Sequence, residues 1–208
     1  MSKEEDESRW LRTDEPRDVA GSIRHALRSA DFANEDPQAW KWVLLALHSA
    51  LQGACVCHLT TTAQPVGALT KKSTKAWRDY LNTQGAQGAR ELPETRLLEF
   101  YDLLKAIRKP NSVGSGAQSP GIAISDVELK WLKRVHKEIR NQFIHFEPTG
   151  WSIELSGVPE LARLIARIVN EVLDADWAFR HLEDAERGAL QADISRLAAN
   201  NWLPDITK

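Results

Sequence analysis

The sequence predicts an all-α fold, a bundle of five to six helices. Three observations point there. Apolar residues recur at three- and four-residue spacing through most of the 208 residues. Helix-start signals stand ahead of those periodic stretches. Neither a strand-rich region nor an internal repeat interrupts the pattern. With 42% hydrophobic and 27% charged residues, the chain can fill a sizeable core. The expected organisation is a frayed or disordered segment, 1–15, followed by one helical domain, 16–208.

Residues 1–15 are acidic and polar, and too poor in apolar side chains to pack. Pro16 suits the first turn of a helix that carries Val19, Ile23, Ala26 and Leu27 on one face to about Phe32. In NEDPQAW, Asp36 reads as an N-cap and Pro37 as the first helical residue. The helix that follows, to about Leu59, is apolar nearly all round, which marks the central helix of a bundle. His48, Ser49, Gln52 and His58 interrupt it, which argues for a buried helix and against a membrane span.

Residues 60–89 read as a long loop region around a short helical piece, TKAWRDYL. ELPETRLLEFYDLLKAIRK is helical by the spacing of Leu97, Leu98, Tyr101, Leu104 and Ile107, and stops at Pro110. Glycine, serine and proline then make 110–122 a flexible loop. Ser125 and Glu128 form a capping box that opens a long helix ending near Phe146, before EPTG. WSIEL, 151–155, alternates and suits a short strand or an extended segment. A clear amphipathic helix lies within 156–182, and ALQADISRLAAN forms a short last one.

A net charge of −2 and a pI near 6.3 announce neither a nucleic-acid nor a membrane partner, so any basic surface must be local. Only two cysteines are present, Cys55 and Cys57. One residue between them is too few for an ordinary disulfide, and a reduced, cytoplasmic protein is expected. The charged start, MSKEEDESRW, has no apolar stretch of the kind a signal peptide needs.

One helix carries the candidate chemistry. On a wheel at about 100° per residue, Val127, Trp131, Leu132, Val135, Ile139, Phe143 and Phe146 form the core side. Lys130, Lys133, Arg134, Lys137 and Arg140 form the other, with almost no acidic residue among them. Such a stripe is a candidate surface for RNA phosphates, or else a solvated face. Ile144 falls among these charges and suits a contact with another subunit. Asn141 and His145, four apart, share a side of the helix, while Arg140 lies around the cylinder from them. Two copies about a two-fold axis would let arginine and histidine converge.

Arg140-Asn141-Gln142-Phe143-Ile144-His145 resembles the R-x4-6-H motif of the HEPN superfamily, whose members often carry a polar residue after the arginine. The resemblance implies a HEPN-like helical bundle that dimerises. It also implies a metal-independent endoribonuclease with no cofactor, acting as a toxin beside a nucleotidyltransferase-type antitoxin or within a defence system. In that chemistry the RNA 2′-hydroxyl is the nucleophile. Imidazole suits His145 to acid/base work near neutral pH, and the fork of donors suits Arg140 to the phosphate oxygens. Asn141 would orient the histidine or the scissile phosphate. The loops at 60–89 and 110–122 and the WSIEL segment fall outside the minimal bundle that the resemblance implies.

The rival reading is a non-catalytic HEPN-like module that binds RNA, a nucleotide or a partner protein, with Arg140 and His145 capping helix carbonyls. A third is a helical scaffold with only a soluble lysine face. His48 reads as a hydrogen-bonded polar residue of the central helix, or as support for the site if it faces Arg140. His136, one turn before Arg140, joins the site or lies at the surface. Cys55, Cys57 and His58 read as buried groups in preference to a metal site, since no further ligands stand at recognisable spacing. Trp40, Trp42, Trp131 and Trp177 read as core or interface anchors; Trp77 or Trp151, near the loops, could stack on a base.

Overall fold

Asp14 opens the first helix by accepting a hydrogen bond from the Arg17 backbone N–H at 3.0 Å. In this computed structural model the described residues are 10–11, 13–60, 66–83, 91–112, 120–145, 148, 150–175, 177–199 and 201–203. Helix α1, Glu15–Asp31, has Pro16 in its first turn and buries Val19, Ile23, Ala26 and Leu27. Of the segment expected to fray, residues 1–9 and 12 lie outside the described residues, and Asp14 and Glu15 already belong to the helix start.

A turn at 32–38 reverses the chain into α2, Ala39–Leu59. The sequence placed its start two residues earlier. The Asp36 carboxylate accepts from the Gln38 N–H at 2.9 Å, while the Ala39 and Trp40 N–H groups bond back to Asp36 and Pro37 as separate tight turns. Asp36 therefore organises the turn and Gln38 stands at the cap position. Helix α2 is long and apolar enough to cross a membrane by length and composition. In the fold it is the central helix, packed against α1 and against α4 and α7 described below. Gly53 sets the closeness of α1 and α2: a Cβ there would lie 2.7 Å from Val19 Cγ2.

The 60–89 region holds more helix than expected. After a 3₁₀ turn at Val66–Ala68, α3 runs Lys71–Asn82 from a Thr70 cap. The stretch 91–99, expected to be helical, is not. Leu98 N–H bonds to Ala68 O at 2.8 Å and Thr70 N–H to Arg96 O at 2.9 Å, leaving Leu69 and Leu97 as an isolated bridge. These long-range bonds satisfy the backbone without helix, so α4 is only Phe100–Ile107.

The capping box forms as expected. Ser125 Oγ accepts from Glu128 N–H at 3.2 Å, and a Glu128 carboxylate oxygen accepts from Ser125 N–H at 2.8 Å. Helix α5, Asp126–Arg134, then passes without a break into a π-helical segment, Val135–Arg140, and α6, Asn141–His145. Phe146 lies outside the described residues. The wider π turn upsets the wheel, because 100° per residue no longer holds across it. Leu129, Leu132 and Val135 are the buried residues here, whereas Val127, expected in the core, is 78% exposed in the first turn.

WSIEL forms no strand. Helix α7, Val158–Asp174, and α8, Asp184–Ala199, complete the bundle; the last helix starts five residues before the expected stretch. With the run 126–145 counted once, seven helices lie among the described residues. Their buried apolar side chains form one cluster from Val19 to Trp202. Ion pairs Arg17–Glu186, Arg24–Asp193 and Arg196–Asp31 line the α1–α8 seam. Arg167 ties α7 to Glu128 at 2.9 Å. Of the four expected anchors, Trp40 is buried, Trp131 and Trp177 are half-buried and Trp42 is exposed; Trp177 sits in a turn after α7.

Candidate functional site at the motif helix

The π segment presses the motif helix against α2. There His48 Nε2 and His136 Nδ1 lie 2.8 Å apart, and Phe100 from the start of α4 packs on both rings, with centroids 4.4 and 4.9 Å away. The three rings close one cluster from residues 48, 100 and 136. Both imidazoles are held below their ordinary titration range. His48 is pushed down to about 3 by burial first, then by the neighbouring His136 and Arg140. His136 is lowered by burial, then by Arg140, against the opposing pull of Glu99. One neutral ring therefore donates and the other accepts.

Arg140, the last residue of the π segment, is half-buried, and its Nη1 donates to Asn141 Oδ1 at 3.0 Å. The cleft it lines, about 930 Å³, also takes His48, Ser49 and Gln52 from α2, Thr95 and Leu97 from the bridged segment, and Ile144. Its far rim is acidic: Asp14, Glu15 and Asp18 of α1. Asp14 is already engaged by Arg17 at 2.6 Å.

The structure thus brings together Arg140, Asn141, Ile144, His48 and His136. His145 is exposed at the end of α6 and does not line this cleft. Ile144 is 44% exposed, an apolar side chain at the surface beside the motif's polar residues. Within the basic stripe, Lys130 and Lys137 are exposed, while Lys133 Nζ lies 4.5 Å from the centre of the Tyr101 ring. Arg134 is paired with Glu138 at 2.6 Å, so the stripe does contain an acidic partner. The guanidinium and carboxylate are both exposed, and such a pair adds little to stability.

Phe100, Thr95 and Leu97 were not among the residues that the sequence singled out for this site. Phe100 carries no local signal of a role, being one apolar residue of a helical repeat. Glu99 before it, the α4 cap residue, was also unmarked.

Elsewhere Cys55 and Cys57 are buried free thiols, and burial raises both out of the reactive range. His58 is fully buried and pushed down to about 4 by that burial; Nε2 meets Ser112 Oγ at 3.3 Å and Nδ1 has no partner. No group of three or more His, Cys, Asp or Glu with metal-ligand placement occurs among the described residues. The chain matches no protein-family model, no curated protein and no solved structure.

Proposed function

We propose that the chain is a HEPN-type endoribonuclease whose active site is assembled from two copies. The observation that carries this reading is the end of the motif helix. Arg140, held by Asn141, lines a cleft together with the partly exposed, apolar Ile144, and His145 stands exposed outside that cleft. One protomer offers an oriented cation and a separate accessible imidazole; a second copy seated on Ile144 would bring the partner's set alongside.

In the reaction, one imidazole takes the proton of the RNA 2′-hydroxyl as that oxygen attacks the adjacent phosphorus. The phosphorane is stabilised by Arg140, and the departing 5′-oxygen takes a proton from the second imidazole. The products are a 2′,3′-cyclic phosphate and a free 5′-hydroxyl, and no step calls on a metal. Lys130, Lys133, Arg134 and Lys137 contribute charge along the helix for the backbone, without reading sequence. A cytoplasmic toxin or defence effector, restrained by a nucleotidyltransferase-type antitoxin, is the context that the motif resemblance suggests.

The acidic rim at Asp14, Glu15 and Asp18 favours a second reading, because carboxylates repel an RNA backbone. On that reading the chain is a non-catalytic module and Arg140 serves binding alone. Two substrates separate the readings, an RNA and the same RNA with one 2′-deoxy nucleotide at the cleavage position: a non-catalytic module cleaves neither. The proposal predicts cyclic-phosphate ends from the unmodified strand and no cleavage at the deoxy position. Cleavage there at an unchanged rate would overturn it.

A further inference from the structure

A second cleft, on the other side of the motif helix, is built from residues the mechanism does not use. It has a volume of about 480 Å³, within the roughly 300–1,000 Å³ of small-molecule pockets. Gln142 and Phe143 enter it from α6, Trp40 and Lys41 from the start of α2, and Trp151 from the segment after the motif helix. Phe143 and Trp151 meet edge to face with centroids 4.7 Å apart. Trp151 keeps 39% of its surface exposed, which leaves part of a large aromatic ring uncovered at the cleft. Lys41 Nζ lies 4.8 Å from the Trp42 ring and 6.0 Å from the Phe143 ring, so a cation stands beside the aromatic wall.

We infer that this cleft holds one unpaired base of a single-stranded RNA, stacked on Trp151, with Gln142 on the base edge and Lys41 toward the adjoining phosphate. Three complementary features converge on that occupant. Aromatic side chains take any base through its π face. A carboxamide carries both a donor and an acceptor for a base edge. The ammonium matches the charge that accompanies every nucleotide. A purely apolar peptide segment would use the rings but leave the Gln142 carboxamide at the cleft without a polar counterpart. Gln142 and Phe143 lie between Asn141 and Ile144 in the chain, so a base seated here anchors the strand next to the proposed cleavage site. The inference rests on the RNA reading above.

Two measurements test it. Adenosine 5′-monophosphate is titrated while the indole N–H resonance of Trp151, assigned with Trp151→Phe, is followed by NMR. A 2′-O-methyl oligonucleotide, which offers no free 2′-hydroxyl, is titrated against wild type, Trp151→Ala, Trp151→Phe and Gln142→Ala. The nucleotide should shift the Trp151 resonance. Trp151→Ala should weaken the oligonucleotide about tenfold or more, Trp151→Phe should recover most of that, and Gln142→Ala should cost about threefold. Unchanged oligonucleotide affinity in Trp151→Ala, with RNA still cleaved, overturns the base site and leaves the ribonuclease reading intact. A Trp151 shift and the expected losses without RNA cleavage keep the base site and remove the ribonuclease reading. No response of Trp151 to either probe overturns the inference.

Discussion

His48 Nε2 and His136 Nδ1 lie 2.8 Å apart and join the central helix to the π segment that leads into Arg140. Their shared hydrogen bond and the Phe100 ring against both make a neutral, ordered wall behind the arginine. Arg140 on one side disfavours protonation of the pair, and Glu99 opposes it only at His136.

This burial sets a pH dependence. His48 falls from 6.5 to about 3 and His58 from 6.5 to about 4 in the folded chain. Below pH 6.5 the unfolded chain therefore binds more protons, and stability drops with pH until the folded-state values are reached. Each of these two histidines should remove on the order of 2 kcal/mol between pH 7 and pH 5. Urea unfolding at pH 7, 6 and 5 measures it. His58→Phe should flatten the pH slope; an unchanged slope would contradict the assignment of His58 as a buried neutral ring.

The α1–α2 contact predicts a coupled pair. In Gly53→Ala the new Cβ would stand 2.7 Å from Val19 Cγ2, and Val19 is fully buried. Alanine gains up to about 1 kcal/mol of helix propensity over glycine, but overpacking costs about 1–3 kcal/mol. The net expectation is a loss of about 1 kcal/mol. Adding Val19→Ala makes room, so thermal unfolding of the double variant should show less loss than the two single losses summed. Strict additivity would mean that the two helices simply move apart.

Much of the fold was legible in local chemistry. Pro16, the Ser125–Glu128 box and the apolar residues of α2 act within a few positions of one another, and each produced the element it implied. What escaped was set by distant partners or by broken periodicity. The non-helical path of Leu97 and Leu98 depends on hydrogen bonds to residues 68 and 70. The His48–His136 bond spans 88 positions. The π segment carries no mark in a pattern read at 3.6 residues per turn, and Val127 was misplaced on the same wheel. In the candidate site, Arg140, Asn141 and Ile144 were readable as a motif, while Phe100 became visible only once α4 was packed.

Ile144 tests the assembly. Because it is partly exposed, Ile144→Asp should leave the protomer folded while placing a carboxylate in the proposed contact. Sedimentation velocity should show a dimer for wild type and a monomer for the variant, with RNA cleavage lost alongside. A variant that remains dimeric and active would place the two-fold contact elsewhere.

Cleavage of RNA in EDTA by wild type, Arg140→Ala and His145→Ala, each confirmed folded and dimeric, tests the central claim most directly. The account predicts cleavage by wild type with cyclic-phosphate ends, and a fall of about 100-fold or more in both variants. Cleavage that survives both substitutions, or none by wild type across varied RNAs, would contradict it.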